Sequence, residues 1–207
     1  MRALAIPPDA HDEFADLLDS MHRLRARIFK GRLGWNVVTE GGRETDEFDA
    51  LRPTYILAIS SASEVVGCAR LLPATGPTMI EALFPDLVET GEFEPHAAMV
   101  ESSRFCVDTT LDEGRAGGSL HDATLTMFAA IIEWSMANGY REIVTGTDLR
   151  IERILTRAGW PMSRIGEPRR IGETIAIAGM LPADRTSFER VRPPSYRSVL
   201  RPKLRAA

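Results

Sequence analysis

The chain has 207 residues, enough to bury a substantial core without disulfide staples, and its 44% apolar and 26% charged content is that of a folded globular protein. No run approaches the roughly 20 apolar residues of a membrane span, and the opening MRALAIPPDA lacks the apolar stretch of a signal peptide, so a cytoplasmic protein without membrane insertion is expected. The net charge of −4 conceals a split: residues 1–149 hold 12 basic and 24 acidic side chains, and residues 150–207 hold 13 and 5. That asymmetry fits either a cationic ligand toward the first part and an anionic partner toward the second, or a mixed surface that cancels on folding.

Phe14, Leu17, Leu18, Met21, Leu24 and Ile28 recur at helical spacing and predict a helix from after Pro7-Pro8 to near Gly31, with Arg25 and Phe29 on one face. Residues 31–53 read as a long acidic loop around Gly41-Gly42, anchored by Trp35, Phe48 and Leu51. Strands are expected at Tyr55–Ile59 and Val65–Leu72, then an irregular stretch with a short apolar piece at Met79–Leu83, then a strand at Met99–Val107. A long helix around Leu125, Phe128 and Ile132 ends at Gly139, a short strand follows at Ile143–Thr147, and Asp148 caps a helix closed by Gly159. Strands near Ser163–Ile165 and Glu173–Leu181 flank a turn at Gly166–Arg170, and a last helix at Ala183–Arg192 precedes a basic tail, residues 193–207. This order gives a single α/β domain, a three-layer α-β-α sandwich with a mixed central sheet.

Several charges sit inside these apolar stretches. Arg70 lies in Gly67-Cys68-Ala69-Arg70-Leu71-Leu72 and needs a carboxylate partner, for which Asp46, Asp49 and Glu101 are candidates. Asp46 and Asp49, three apart, form either a cation-attracting pair or an ordinary acidic surface loop. Glu101 and Arg104 fall on opposite faces of a regular strand. Their strand is therefore either an edge with solvated charges or one distorted by a bulge near Ser102–Ser103, which re-aims both beside a site. Trp35 packs against a cation or purine, or is a packing anchor.

Cys68 and Cys106 read as isolated, buried, reduced thiols. His11, His22, His96 and His121 lack ligand-like spacing, so no metal is expected. Nor is nucleic acid, because no stacking motif accompanies the arginines.

These residues together resemble the acyl-homoserine-lactone synthases, the autoinducer synthases of quorum sensing. The matching pieces are Arg25-x-x-x-Phe29, Leu33-Gly34-Trp35, Glu44-x-Asp46-x-x-Asp49, Ala69-Arg70-Leu71-Leu72-Pro73, Glu101-Ser102-Ser103-Arg104-Phe105, Glu152-Arg153-Ile154 and Arg157-Ala158-Gly159-Trp160, spread over about residues 20–180. The resemblance implies an N-acetyltransferase-like fold and two substrates: S-adenosylmethionine, and an acyl thioester on acyl carrier protein or coenzyme A. It implies amide formation followed by lactone closure with release of methylthioadenosine, and no separate cofactor.

Under it, Arg25, Phe29, Trp35, Asp46 and Asp49 shape the S-adenosylmethionine pocket. Glu101 is the base, and Arg70 and Arg104 hold the site rigid beside it. Met127, Trp134 and Thr145 are candidate walls of an acyl tunnel, Thr145 competing with Thr147 and with a plain core hydroxyl role. Arg150, Arg153 and Arg157, at helical spacing, suit an acidic carrier protein. Two rivals are an N-acetyltransferase, whose pyrophosphate loop Arg115-Ala116-Gly117-Gly118-Ser119-Leu120 begins but ends in leucine, and a non-catalytic acyl-binding module.

Overall fold

The structure, a computed structural model, describes residues 1–89, 91–110 and 120–200. Its elements in chain order are β1 (Arg2–Ile6), α1 (Ala15–Ala26), a π-helical turn (Arg27–Arg32), β2 (Thr39–Glu40), β3 (Arg43–Glu44), a 3-10 turn (Glu47–Leu51), β4 (Thr54–Ile59), β5 (Val65–Pro73), α2 (Met79–Leu83) and β6 (Met99–Val107). They continue with α3 (Asp122–Ala137), β7 (Glu142–Asp148), α4 (Leu149–Arg157), β8 (Ser163–Arg164), β9 (Arg169–Ile171), β10 (Thr174–Pro182), α5 (Arg185–Val191) and β11 (Ser198–Val199). Among the described residues no helix is long and apolar enough to cross a membrane.

The chain forms two compact units. The first comprises Met1–Arg70, Arg104–Ile131 and Arg192–Ala207. Its strands run β11-β1-β4-β5, with β1 antiparallel to β4 (Leu4 opposite Leu57) and parallel to β11 (Ala3 opposite Ser198). β4 reads TYILAI and is buried at every position, the mark of a strand covered on both faces. Met21, Leu24 and Ile28 pack with Leu4, Ile6, Leu57 and Ile59, each such burial contributing about 1.5–3 kcal/mol.

α1 does not run on to Gly31 as one α-helix. It stops at Ala26 and widens into the π turn, where Leu33 N donates to Ile28 O over 2.9 Å. Such turns cluster at functional sites. The expected loop at 31–53 instead holds the β2–β3 hairpin and the 3-10 turn, and β1 and β11 fall where no strand was expected.

The second unit comprises Leu71–Ser103 and Ile132–Val191. There β6 runs parallel to β7 (Glu101 opposite Val144), β7 antiparallel to β10, and β8 and β9 pair with β10. Both units thus hold mixed sheets. Ile80, Leu87, Met99, Val144, Ile165 and Ala178 form the second core. Asp148 caps α4 through Ile151 N at 2.7 Å, and Gly139 and Gly159 end their helices at φ of 82° and 84°, as their positions predict. The expected turn at Gly166–Arg170 contains the start of β9. The basic tail is described only to Leu200, and most of the Arg115–Leu120 loop lies outside the described residues.

Candidate functional site: a buried ring of guanidiniums and carboxylates

The first unit gathers Arg25, Glu44, Asp46, Asp49, Arg70 and Arg104 into one network. Arg25, on the last turn of α1, is fully buried. Its Nη1 and Nη2 donate to the two oxygens of Asp49 at 2.9 and 3.0 Å, and its Nε donates to Glu44 Oε2. Arg70, on β5 and equally buried, donates from Nη1 to Asp46 Oδ1 and, at 2.9 Å, to Asp49 Oδ1. Arg104 donates from Nε to Glu44 Oε1 at 3.1 Å, and its Nη2 lies 2.7 Å from Asp46 Oδ2 as an ion contact outside hydrogen-bond alignment.

The two aspartates are held by their own backbone. Asp46 Oδ1 accepts from the amides of Phe48 and Asp49, and Asp49 Oδ2 accepts from the Asp46 amide at 2.9 Å, a reciprocal capping box that starts the 3-10 turn. This is why a spacing of three brings both carboxylates to one place.

Three guanidiniums meet three carboxylates, so the ring is neutral as a set. That balance is what allows ions to be buried at all, since an unpaired one costs several kcal/mol. Burial would raise the Asp49 carboxyl, but Arg25, Arg70 and the Asp46 amide outweigh it and hold the group well below the usual carboxylate range. Burial would likewise lower Arg25, and Asp49 and Glu44 reverse that. Tyr55 donates its hydroxyl to Asp49 Oδ1 at 2.7 Å, and burial together with Asp49 pushes its phenol up. His22 approaches Glu44 O through Nδ1 at 2.9 Å, and burial and then Arg25 lower its pKa.

Aromatic rings lie against the ring of charges. Arg104 sits over Phe29, 5.8 Å from its centroid, and Phe29 stacks on Trp35 at 5.1 Å and 3°. Arg70 sits over Phe48 at 5.3 Å. Of the three arginine side chains only that of Arg104 meets solvent, at 14% exposure.

Arg104 also has φ of 52°, a left-handed conformation costing about 1–2 kcal/mol for a side-chain-bearing residue. The strand distortion expected near Ser102–Ser103 therefore falls at Arg104. The Cys68 thiol lies 3.5 Å from both Arg104 O and Cys106 Sγ; the two cysteines are buried and free, as expected, but are neighbours rather than isolated.

Glu44 belongs to the site although the sequence reading gave it no role. Its signal was the two-residue spacing before Asp46 and the out–in alternation of Arg43 and Glu44 in β3, where only Glu44 is buried. Tyr55 was likewise read only as strand.

In the second unit Glu101, 1% exposed, accepts the amides of Met79 and Ile80 at 3.0 Å each, so its carboxylate occupies the N-terminus of α2. Thr145 donates its hydroxyl to Ser102 O at 2.8 Å. Trp134 stacks on Tyr140 at 5.7 Å. Met127, in the first unit, is buried against Gly67, where a Cβ would come within 3.0 Å of its Cγ. Arg150, Arg153 and Arg157 are all exposed on α4, whereas Glu152 of that helix is held by Arg164 at 2.7 and 2.8 Å. Among the described residues no group of three or more His, Cys, Asp or Glu is arranged to hold a metal ion.

A family model described as autoinducer synthase matches residues 10–191. An acyl-homoserine-lactone synthase of Rhizobium radiobacter is 62% identical over 200 residues, covering 97% of this chain and 94% of the relative. The crystal structure of the AHL synthase LasI superposes with a TM-score of 0.75 at 34% identity, covering 86% of this chain and 88% of that one. A CoA-dependent acyl-homoserine lactone synthase, BjaI, solved with SAM and isopentyl-CoA, superposes with a TM-score of 0.82 at 23% identity over 96% of this chain and 93% of that one. A more distant likeness of fold, TM-score 0.52 at 14% identity over 82% of this chain and 92% of the other, is to a putative N-acetyltransferase from Lactobacillus plantarum. The α/β sandwich expected from the order of elements is thus the fold of these proteins, and with its sequence matched almost end to end the chain belongs to the autoinducer synthase family.

Proposed function

We propose that the protein makes an N-acyl-L-homoserine lactone from S-adenosylmethionine and an acyl thioester. The amine of S-adenosylmethionine attacks the thioester carbonyl, the thiol leaves, and an amide forms. The carboxylate of the acylated product then attacks the carbon bonded to the sulfonium, closing the lactone and releasing methylthioadenosine. S-adenosylmethionine is consumed as a substrate, and the reaction needs no further cofactor.

The observation that carries this reading is the neutral, buried ring beneath the Phe29–Trp35 stack, in a chain 62% identical to a named synthase. Because Asp46 and Asp49 are matched by Arg25 and Arg70, their charge is spent inside the ring and does not hold the sulfonium. Trp35, half-buried and stacked on Phe29 by one face, supplies that attraction from its other face, at about 0.5–2 kcal/mol. Arg104, the one arginine of the ring with a solvent-reached side chain, is the group to engage the substrate carboxylate.

Glu101 takes the amine proton directly or through one water. Its two amide hydrogen bonds fix the carboxylate in place, as a general base requires. Trp134 and Thr145 contribute to the acyl tunnel. The exposed Arg150, Arg153 and Arg157 receive an acidic acyl carrier protein when that is the donor; coenzyme A is the alternative donor. The test is incubation with S-adenosylmethionine and each class of acyl thioester. Methylthioadenosine and lactone together support the reading, and an acylated amine without methylthioadenosine favours the N-acetyltransferase alternative.

A further inference from the structure

We propose that Glu44 is a positioning residue for Arg104, tying the one arginine of the ring whose side chain meets solvent to the fully buried Arg25. The inference rests on the synthase reading and extends it to a residue outside the set that reading assigns. Glu44 is fully buried, and its two oxygens are divided: Oε2 accepts from Arg25 Nε and Oε1 from Arg104 Nε at 3.1 Å. Asp46, also beside Arg104, is poorly placed to aim it. Asp46 Oδ1 already serves two backbone amides and Arg70, and Oδ2 meets Arg104 outside hydrogen-bond alignment.

Arg104 needs such an anchor. Its backbone is left-handed and its guanidinium must stay over Phe29 to present a defined edge to a ligand. A glutamine at 44 has nearly the same shape but the wrong chemistry. Both partners of Glu44 are N–H donors, so an amide meets one of them with its NH₂ group, donor against donor, and the ring keeps an unmatched positive charge.

The test compares Glu44→Gln, Arg104→Lys and the double variant, with steady-state kinetics, unfolding midpoints and the side-chain ¹⁵Nε–H spectrum of the arginines. Glu44→Gln is expected to lower kcat at least tenfold while unfolding above the assay temperature. The double variant should lose little more than Arg104→Lys alone, because an anchor has no effect once its target is gone. The Arg104 Nε–H signal, identified by its loss in Arg104→Lys, should be slow to exchange in the wild type and fast in Glu44→Gln.

Wild-type turnover in Glu44→Gln, losses that multiply in the double variant, or an unchanged Nε–H signal would each overturn the assignment. If Glu44→Gln does not fold, Glu44→Asp keeps the charge but retracts it by one methylene. A severalfold fall in kcat at an unchanged unfolding midpoint supports the proposal, and full turnover overturns it. The spectrum does not depend on catalysis, so a wild type that releases no methylthioadenosine refutes the synthase reading separately.

Discussion

Asp49→Asn is the perturbation whose cost the structure defines best. The carboxylate accepts from Arg25 twice, at 2.9 and 3.0 Å, from Arg70 at 2.9 Å, from Tyr55 at 2.7 Å and from the Asp46 amide at 2.9 Å. Asparagine keeps one acceptor oxygen and puts an NH₂ group against donors, while Arg25 and Arg70 lose a counter-charge in a buried setting. Removing one partner of a buried pair costs about 3–5 kcal/mol. For a chain of this length each kcal/mol moves the unfolding midpoint by about 2–4 °C, so a fall of roughly 6–20 °C is expected.

The pH dependence carries a second signature. The folded-state Asp49 carboxyl is held below its ordinary value of 3.8, so its stabilising effect is complete above that value and is lost as the pH falls toward the lowered one. The wild type should therefore lose stability steeply below about pH 4, and Asp49→Asn should lose it less steeply. Urea unfolding at pH 7 and across pH 2–5 measures both. A loss under about 1 kcal/mol at pH 7, or parallel acid profiles, would refute the claim that the ring is a coupled, charge-balanced unit.

Glu101→Gln should cut turnover by about 100-fold or more, the range of a lost general base, with a shift of only a few degrees in unfolding from the disturbed first turn of α2. Near wild-type turnover would remove Glu101 from that role. Reversing the charges of Arg150, Arg153 and Arg157 should raise the KM for a carrier-protein donor in a salt-dependent way and leave kcat nearly unchanged; a KM indifferent to both the substitutions and salt would contradict docking on α4. Gly166→Ala should destabilise by about 1–3 kcal/mol in urea unfolding, because its Cβ would strike the Leu87 carbonyl, which as backbone has little room to yield. An unchanged midpoint there would contradict the described packing.

The parts of the fold legible in the sequence are those specified locally. β6 falls at Met99–Val107 as expected, its apolar ends bracketing the polar and charged centre, and the short apolar piece expected at Met79–Leu83 is helix α2. β1 and β11 are short and pair with distant segments, β1 with β4 some 50 residues on, so nothing in their own stretches marks them as strands. The π turn is invisible to periodicity because Arg27–Arg32 continues the same helical pattern with one extra residue per hydrogen bond.

In the site, ionised side chains in apolar runs correctly flagged Arg25, Arg70 and Arg104, and burial explains why they had to meet acids. Strand parity at Glu101 and Arg104 left either an edge strand or an irregularity near Ser102–Ser103, and the irregularity falls at Arg104. Glu44 escaped because an acid in an acidic loop carries no local sign of burial. Its spacing of two before Asp46, with the tally of three arginines in apolar runs against two aspartates, was the signal that pointed to it.

The central claim is that this chain joins an acyl group to S-adenosylmethionine and then closes the lactone. Mass spectrometry of purified enzyme incubated with S-adenosylmethionine and a panel of acyl thioesters tests it directly. The account predicts one molecule of methylthioadenosine for each acyl-homoserine lactone formed with at least one donor. Thioester consumption that yields neither product across the panel would contradict it.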